Sequence, residues 1–539
     1  MVRRFQNLLG NLSSDIPSSI VVFLVALPLC LGISLASGAP FFSGLIAGII
    51  GGIVVGFTSG SNLSVSGPAA GLAALVLAAI TNIGAFDLFL CAVLIAGILQ
   101  MIMGFARLGG IANYFPSSVI KGMLTSIGIL IIAKQIPHAA GYDKDEKGNL
   151  TELIEFGNED WHELLQPLQH IEIGVFLICI LSILIMILWE RPVIKRKMKF
   201  IPGALVAVLV SILLNEIFKA TGSPLTIGPD HLVQIKSAGS ASEFLRFFVL
   251  PDFSGFLNSK VIITGFMIAI IASLETLLSI EAIDNIDPER NVTNTNKELI
   301  AQGIGNTVSG LIGELPITSV IVRSSANIQA GARSRMSAIF HGLLLLISVI
   351  AIPHLLNLIP LSALAAVLFL TGYKLCKISV FKQMLSHGKY QYIPFFVTVF
   401  VIIGIDLFGL YKPFKGEGLL IGVIAGILAA SFAILHGNLK NSYYFHKSTY
   451  QNGDLIKIQL SEEVSFLNKA SIRETLDHIP ENSRIVIDAS NTKYIDFDVL
   501  ELIKEFRDIK VPLKNISCTL EGFNDKYQIE NLSKVQSVH

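Results

Sequence analysis

The chain has 539 residues, of which 52% are hydrophobic and only 15% charged, and its mean hydropathy is +0.66. Such a composition is far more apolar than that of a globular enzyme and predicts a polytopic membrane protein. The 40 basic and 40 acidic residues balance, which argues against nucleic acid as a partner. The five cysteines lack the spacing of metal fingers or redox motifs, and no nucleophile–base arrangement indicates an enzyme.

The apolar runs predict about fourteen helical segments, two of which are only half the length of a bilayer span. The first run follows a basic N-terminus but is too long for a cleaved signal peptide, so we expect it to be the first membrane helix. The predicted segments are 17–38, 42–58, 67–82, 86–106, 117–136, 170–190, 201–219, 260–282, 298–314, 317–329, 335–354, 357–374, 391–411 and 417–436.

The two short segments begin at Gly67-Pro68-Ala69-Ala70 and at Leu315-Pro316-Ile317-Thr318-Ser319. A dozen helical residues cover only about 18 Å, so the rest of each crossing is predicted to be extended chain. Each proline is predicted to lie in the first helical turn, where it removes no intrahelical hydrogen bond. Two helix starts that meet inside a membrane expose free N–H groups and suit an anion. An ordinary helix kink is the alternative.

Two charged residues lie within apolar segments and are therefore candidates for function. Glu275 could take up a proton or hold a sodium ion, with Ser279 one helical turn further along as a second oxygen; the alternative is a structural carboxylate. Arg323 could add positive potential behind the anion pocket, or it could extend to the cytoplasmic interface. Gln302 and Asn306, four residues apart, are predicted to be structural hydrogen-bonding groups.

The basic residues of the short loops predict the orientation. The loop 191–199 carries five basic residues and no acid, whereas the loop from Asp143 to Glu163 carries eight acids and two lysines. We therefore expect the first loop to be cytoplasmic and the second to face outward. An even number of crossings then places both termini in the cytoplasm.

The composition changes near Asn441, which divides the chain into a transmembrane domain, 1–438, and a cytoplasmic domain, 439–539. The second part alternates predicted strands around 456–460, 485–488 and 516–520 with helices around 472–479 and 499–506. It is predicted to be a small α/β domain, with the stretch from Ile487 to Asp498 as its most distinctive part.

Four blocks in order show that the sequence resembles the sulfate permease (SulP) family of anion transporters with a C-terminal STAS domain. The blocks are Val25-Ala26-Leu27-Pro28, the stretch from Ser64 to Ala70, Ser273-Leu274-Glu275-Thr276-Leu277-Leu278, and the run from Asn296 through Pro316 to Arg323. The resemblance covers essentially the whole chain. It implies two inverted seven-segment repeats, divided into a core domain and a gate domain and usually assembled as a homodimer.

The same resemblance implies site residues. In the family the anion lies between the two half-helices, and relatives use an acidic residue at the position of Glu275 for cation coupling. Relatives have small residues where this chain has Val320 and Ile321, so only backbone groups would serve there. The implied anion-binding residues are Gly67, Pro68, Ala69, Ala70, Ser319, Val320 and Arg323. The implied cation-coupling residues are Glu275, Ser279, Ser319 and Ile321, with a possible Na⁺ at Glu275 and Ser279 and no other cofactor.

In the C-terminal domain, some STAS relatives carry a phosphorylatable residue after the aspartate of the loop. Here Asp496 is followed by Phe497 and Asp498, so we expect that switch to be absent. A regulatory partner at this domain and a purely structural cap both remain open.

The leading functional hypothesis is cation-coupled import of a small inorganic oxyanion by alternating access across a bacterial inner membrane. The residues of the blocks around Pro28 and Pro68 resemble those of the branch of the family associated with carbonic anhydrases. This resemblance favours bicarbonate slightly over sulfate. An anion exchanger or an uncoupled anion conductance is the first alternative. A receptor that signals anion binding through the STAS domain is the second.

Overall fold

Apolar runs of this chain fold as helices, because a helix satisfies all of its backbone groups within one segment of a membrane. The computed structural model describes residues 11–142, 171–198, 201–235, 247–409, 418–440, 446–449, 455–481, 483–524 and Tyr527. The acidic loop from Asp143 to Glu163 and both chain ends, on which the predicted orientation partly depends, lie outside these residues.

Each of the fourteen predicted segments contains a helix within the described residues. These helices are α1 (Leu12–Ala36), α2 (Phe41–Thr58), α3 (Ala70–Ile83), α4 (Phe86–Phe105), α5 (Ser117–Ala140), α6 (Ile173–Trp189), α7 (Gly203–Ala220), α8 (Ser259–Ile286), α9 (Thr295–Ile312), α10 (Ile321–Ala330), α11 (Met336–Ala351), α12 (Leu361–Leu375), α13 (Lys389–Asp406) and α14 (Gly418–Lys440). Among the described residues, eight helices are long and apolar enough to cross a membrane, and four more are apolar but shorter. The chain is an integral membrane protein of the polytopic helical class.

The two interrupted crossings are confirmed, but the predicted position of their prolines is wrong. Pro68 is the last residue of a strand, β1 (Ser66–Pro68), and Pro316 directly precedes a second strand, β2 (Ile317–Ser319). The helices α3 and α10 begin only after Ala69 and Val320. The prolines therefore hold extended backbone, a conformation that proline favours, and do not lie in a first helical turn.

The strands β1 and β2 pair with each other in antiparallel register, Ser66 with Ser319 and Pro68 with Ile317. All six strand residues are buried. The pairing continues beyond the strand end, because the Val320 N–H donates to the Val65 carbonyl over 3.0 Å. Extended backbone at membrane depth would otherwise leave polar groups without partners, so each interruption satisfies the other.

Polar side chains from neighbouring helices complete this arrangement. Asn306 of α9 receives the Ile317 N–H over 2.7 Å and donates to the Ile317 carbonyl over 3.0 Å and to Gln100 over 2.7 Å. Gln302 donates to the Ser66 hydroxyl over 2.7 Å and to Glu298 over 3.0 Å. The prediction that Gln302 and Asn306 are structural hydrogen-bonding groups is confirmed.

The chain forms two compact units. The first comprises residues 1–112, 124–377 and 402–420, and it contains β1, β2, α3, α8 and α10. The second comprises residues 113–123, 378–401 and 421–539. It contains the beginning of α5, a short helix Ile378–Ser386, most of α13 and α14, and the C-terminal α/β domain.

The α/β domain has a four-stranded sheet in the order β3 (His446–Thr449), β4 (Leu455–Gln459), β6 (Arg484–Asp488) and β8 (Ser517–Glu521). The pair β3–β4 is antiparallel, whereas β4, β6 and β8 run parallel. Two short strands, β5 (Glu463–Val464) and β7 (Tyr494–Ile495), form a separate parallel pair. The helices α15 (Lys469–Asp477) and α16 (Phe497–Glu505) contribute to a shared apolar core. The predicted small α/β domain is confirmed, although β3, β5 and β7 were not predicted.

We expect Asn306→Ala to destabilise the protein by about 1–3 kcal/mol, since it leaves buried backbone groups of Ile317 without a partner. The measurement is thermal unfolding of the purified protein in detergent. Thr307→Ala is the matched control, because the Thr307 hydroxyl only bonds back to Gly303 of its own helix. Equal unfolding temperatures for the two variants would contradict this role of Asn306.

Candidate anion and cation site

Two helix N-termini without side-chain caps flank the β1–β2 pair. Ala69 precedes α3 with φ −108° and ψ 133°, and Val320 precedes α10 with φ −117° and ψ 116°. Neither residue offers a side-chain hydrogen bond to the first turn of its helix. The first turns of α3 and α10 therefore carry free N–H groups and the positive ends of two helix dipoles. This is the geometry expected from the sequence for an anion site.

Hydroxyl groups fix the end of β2 next to both halves of the site. The hydroxyls of Ser319 and Ser64 share a hydrogen bond of 2.6 Å, and the Ser319 N–H donates to Thr276 Oγ1 of α8 over 3.3 Å. Ser324 of α10 accepts the Val65 N–H over 2.9 Å. The predicted residue Ser319 thus joins the two strands to α8 one residue from Glu275. Ser64, Thr276 and Ser324 were not predicted as site residues.

Arg323 is fully buried and carries unused hydrogen-bond donors. It lies in the first turn of α10, and its Nη2 donates to the Pro68 carbonyl of β1 over 3.4 Å. Its Nε and Nη1 have no hydrogen-bond partner, and within the described residues no carboxylate forms an ion pair with it. The side chain therefore does not extend to the membrane surface. It places a positive charge against the backbone of β1, at Pro68.

The close approach of Arg323 requires Gly67. A methyl group added at Gly67 would lie 2.2 Å from Arg323 Nη1, a distance that real carbon atoms do not reach. Gly48 of α2 faces the same region, since a methyl group there would lie 2.8 Å from the Cys30 sulfur and 3.9 Å from Arg323 Nη1. The predicted residues Gly67 and Pro68 thus lie beside this guanidinium, and Ala69 follows them in the chain.

Glu275 lies at the beginning of the other half-helix. A methyl group added at Gly71, in the first turn of α3, would lie 2.6 Å from Glu275 Oε1 and 2.8 Å from Oε2. The carboxylate therefore faces the helix end whose dipole favours a negative charge. Its Oε2 is buried without a hydrogen-bond partner, although buried carboxylate oxygens usually have one. The role of Glu275 in cation coupling stays a prediction.

The remaining predicted residues take less direct positions. Ser279 is buried on α8, with 6% of its surface exposed, one turn beyond Glu275. Ala70 and Val320 are partly buried. The Ile321 side chain is 40% exposed, and the expectation that only its backbone serves the site stays a prediction.

His341 of α11 was also missed. It is fully buried, and it lies near enough to Arg323 for their charges to interact. The sequence gives no signal for His341, because it lies on a separate helix and approaches Arg323 only in the folded protein. The site thus contains one buried cation, one partly buried carboxylate and two uncapped helix ends.

Interrupted membrane helices that meet beside unpaired buried charges define a class of membrane proteins that bind ions within the bilayer. The model of the sulfate permease family matches residues 12–398. The chain belongs to this family.

Curated relatives include a putative sulfate transporter, YvdB of Bacillus subtilis, 27% identical over 429 residues that cover 78% of this chain and 73% of the relative. The bicarbonate transporter BicA of Picosynechococcus is 26% identical over 381 residues, covering 69% of this chain and 63% of the relative. Among solved structures, the transmembrane domain of a cyanobacterial BicA matches with a TM-score of 0.59 at 22% identity, covering 79% of this chain and 97% of that domain. The structure of SLC26A9 matches with a TM-score of 0.66 at 16% identity, and the match covers 96% of this chain and 85% of that one. These likenesses support the fold.

We expect Gly67→Ala to cost about 1–3 kcal/mol of stability, since the added methyl group displaces the buried Arg323 side chain. Thermal unfolding in detergent measures the effect. Gly228→Ala is the control, because nothing lies within 4 Å of a methyl group there. A Gly67→Ala protein as stable as the control would contradict the packing of Arg323 against β1.

Proposed function

We propose that this protein is a secondary active transporter of a small inorganic oxyanion. The observation that carries the proposal is Arg323, a fully buried guanidinium with free Nε and Nη1 donors between two uncapped helix ends. A buried cation without a counter-charge is costly, and a bound oxyanion would offset that cost through charge-assisted hydrogen bonds. Family membership and relatives named as sulfate and bicarbonate transporters agree with it.

We further propose that transport is coupled to H⁺ or Na⁺ at Glu275. The carboxylate lies at the N-terminus of α3, where it competes with an anion for the same helix end. Two negative charges at one helix end repel each other, which weakens anion binding while Glu275 is ionised. A proton or a sodium ion on Glu275 removes this repulsion, so the two ions bind best together.

Two hydroxyl residues follow Glu275 on α8. Thr276 and Ser279 lie on the same helix, and Thr276 already contacts the end of β2. Hard oxygen ligands favour Na⁺ over transition metals. Alternating exposure of the site to the two sides of the membrane would then move both ions.

Bicarbonate is the favoured substrate, with sulfate as the second candidate. The blocks around Pro28 and Pro68 support bicarbonate, and the relatives named for each anion support both. We also propose a bacterial inner membrane location, cytoplasmic termini, a homodimer and a STAS role for the C-terminal domain.

We expect Arg323→Gln to lower the affinity for the anion by about 10- to 100-fold, since it removes charge-assisted hydrogen bonds. Uptake of labelled bicarbonate and labelled sulfate into proteoliposomes measures the effect, and stabilisation of the detergent-purified protein by each anion reports binding without transport. Arg333→Gln, at an exposed arginine just after α10, is the control. Unchanged uptake and unchanged stabilisation in Arg323→Gln would overturn the site.

We expect Glu275→Gln to abolish accumulation driven by an imposed Na⁺ or H⁺ gradient, because the amide binds neither ion as a carboxylate does. Downhill flux of the anion should remain. The control is Glu216→Gln, at an exposed carboxylate on α7. If Glu275→Gln accumulated the anion like the parent, or if the parent needed no gradient, exchange or uncoupled conductance would replace symport.

A further inference from the structure

The C-terminal domain contacts the first residues of two membrane helices through three consecutive residues, Asp496-Phe497-Asp498, which we name the docking loop. This loop lies at the start of α16. All of its contacts described below lie within the second compact unit. None of them belongs to the anion and cation site.

Asp498 caps the membrane helix α5. The N–H of Ser117, the first residue of α5, donates to Asp498 Oδ2 over 3.1 Å, and the Ser117 hydroxyl donates to Oδ1. A carboxylate at this position satisfies a free N–H group and interacts favourably with the helix dipole. Lys469 of α15 lies 3.6 Å from the same carboxylate.

Asp496 contacts the second helix, α13. Its Oδ1 accepts the Asp498 N–H over 3.0 Å, and its Oδ2 lies 2.5 Å from Gln391 Nε2 in the first turn of α13. Such a separation is short for N–H···O and usual for O–H···O. If the Gln391 amide turns over, its oxygen accepts a proton from Asp496 and another from Tyr494, whose hydroxyl is 3.0 Å away. With the amide in this second orientation, the pocket would accept the neutral acid.

Phe497 fixes the loop between these two contacts. The Lys121 ammonium of α5 lies 3.8 Å from the centre of its ring, and the His387 ring packs edge-on at 4.9 Å. Beside Asp496 lies a cavity of only about 30 Å³, lined among others by Pro116, Gln391 and Glu463. With 3% and 4% of their surfaces exposed, Asp496 and Asp498 are two neighbouring carboxylates almost without water.

Acidic groups outnumber cations around the docking loop. The titratable and charged groups that face it are Lys121 from α5, His387 from the chain entering α13, Tyr390 from α13 itself, Glu463 from β5, Lys469 from α15, Tyr494 from β7, and Asp498 and Glu501 from α16. Two neighbouring buried carboxylates repel each other when both are ionised, so one of them favours its neutral form.

We propose that Asp496 is a proton-dependent latch, which holds the C-terminal domain on the cytoplasmic ends of α5 and α13 when it is protonated and weakens that docking when it ionises. The proposal concerns regulation and does not depend on which anion is transported.

The direction of the pH dependence follows from burial. Loss of water and the nearby Asp498 carboxylate raise the pKa of Asp496 well above its ordinary range, against the opposing hydrogen bonds from Asp498 N–H and Gln391. In an undocked domain the side chain regains water, and its pKa returns towards about 3.9. The docked form therefore binds the proton more tightly. Docking strengthens as pH falls through the raised pKa and weakens as pH rises through it, by at most about tenfold per pH unit for one proton.

The test is hydrogen–deuterium exchange of the full-length protein in lipid nanodiscs between pH 8 and pH 6, corrected for the intrinsic pH dependence of exchange. The peptides that cover 117–123 and 389–395 report docking. We expect their protection to rise up to tenfold per pH unit on acidification in the parent. Asp496→Asn, which resembles the neutral acid, should give protection that does not change with pH.

Two further variants keep the test decisive. Asp496→Glu retains a titratable group and should keep a pH-dependent protection, and Asp508→Asn, at an exposed aspartate of the same domain, should behave like the parent. If protection in the parent does not change with pH, or if Asp496→Asn keeps the parental profile, the latch is wrong. Circular dichroism of Asp496→Asn identifies a misfolded domain. In that case the pH midpoint of protection is compared between the parent and Asp496→Glu, and an identical midpoint and amplitude in the two proteins would contradict the latch.

Discussion

The whole arrangement depends on the satisfaction of backbone groups where two membrane helices are interrupted. A strand inside a bilayer is tolerated only if every polar group finds a partner, and here each strand is the partner of the other. Asn306, Gln302, Ser324 and Thr276 supply what the short ladder cannot. The partners of the strands satisfy the extended backbone and not the helices that follow. The first turns of α3 and α10 therefore keep free N–H donors.

The charges of the site are arranged around this backbone frame. Arg323 approaches β1 because Gly67 leaves room for it, and Glu275 approaches α3 because Gly71 does. Two glycines of the first interrupted crossing therefore each hold a charge from the second half of the chain. The opposite signs of these two charges distinguish the site from a pocket built from amides alone.

Much of this fold was predictable from the sequence, since the apolar runs are long and each predicted segment is a helix. The interruptions were predictable from Pro68 and Pro316, but their conformation was not, because proline favours both a first helical turn and extended backbone. Glu275 and Arg323 were found because a charge in an apolar run stands out. Thr276 and Ser324 directly follow Glu275 and Arg323 in the sequence. Their own residue types do not distinguish them, and only the tertiary pairing gives them and His341 their roles. The docking loop was recognised as a motif, but its bond to Ser117 spans 381 positions of sequence and no local pattern indicates it.

The hydrogen bond between Ser64 and Ser319 spans 255 positions of sequence, and this separation has a consequence for biosynthesis. At about 5–20 residues per second, a ribosome needs roughly 13–50 s between making the first strand and making its partner. During that interval the first strand is without its ladder, and water, lipid headgroups or the insertion machinery must solvate it. The nascent chain is therefore most vulnerable to misassembly and proteolysis before its second half has entered the membrane.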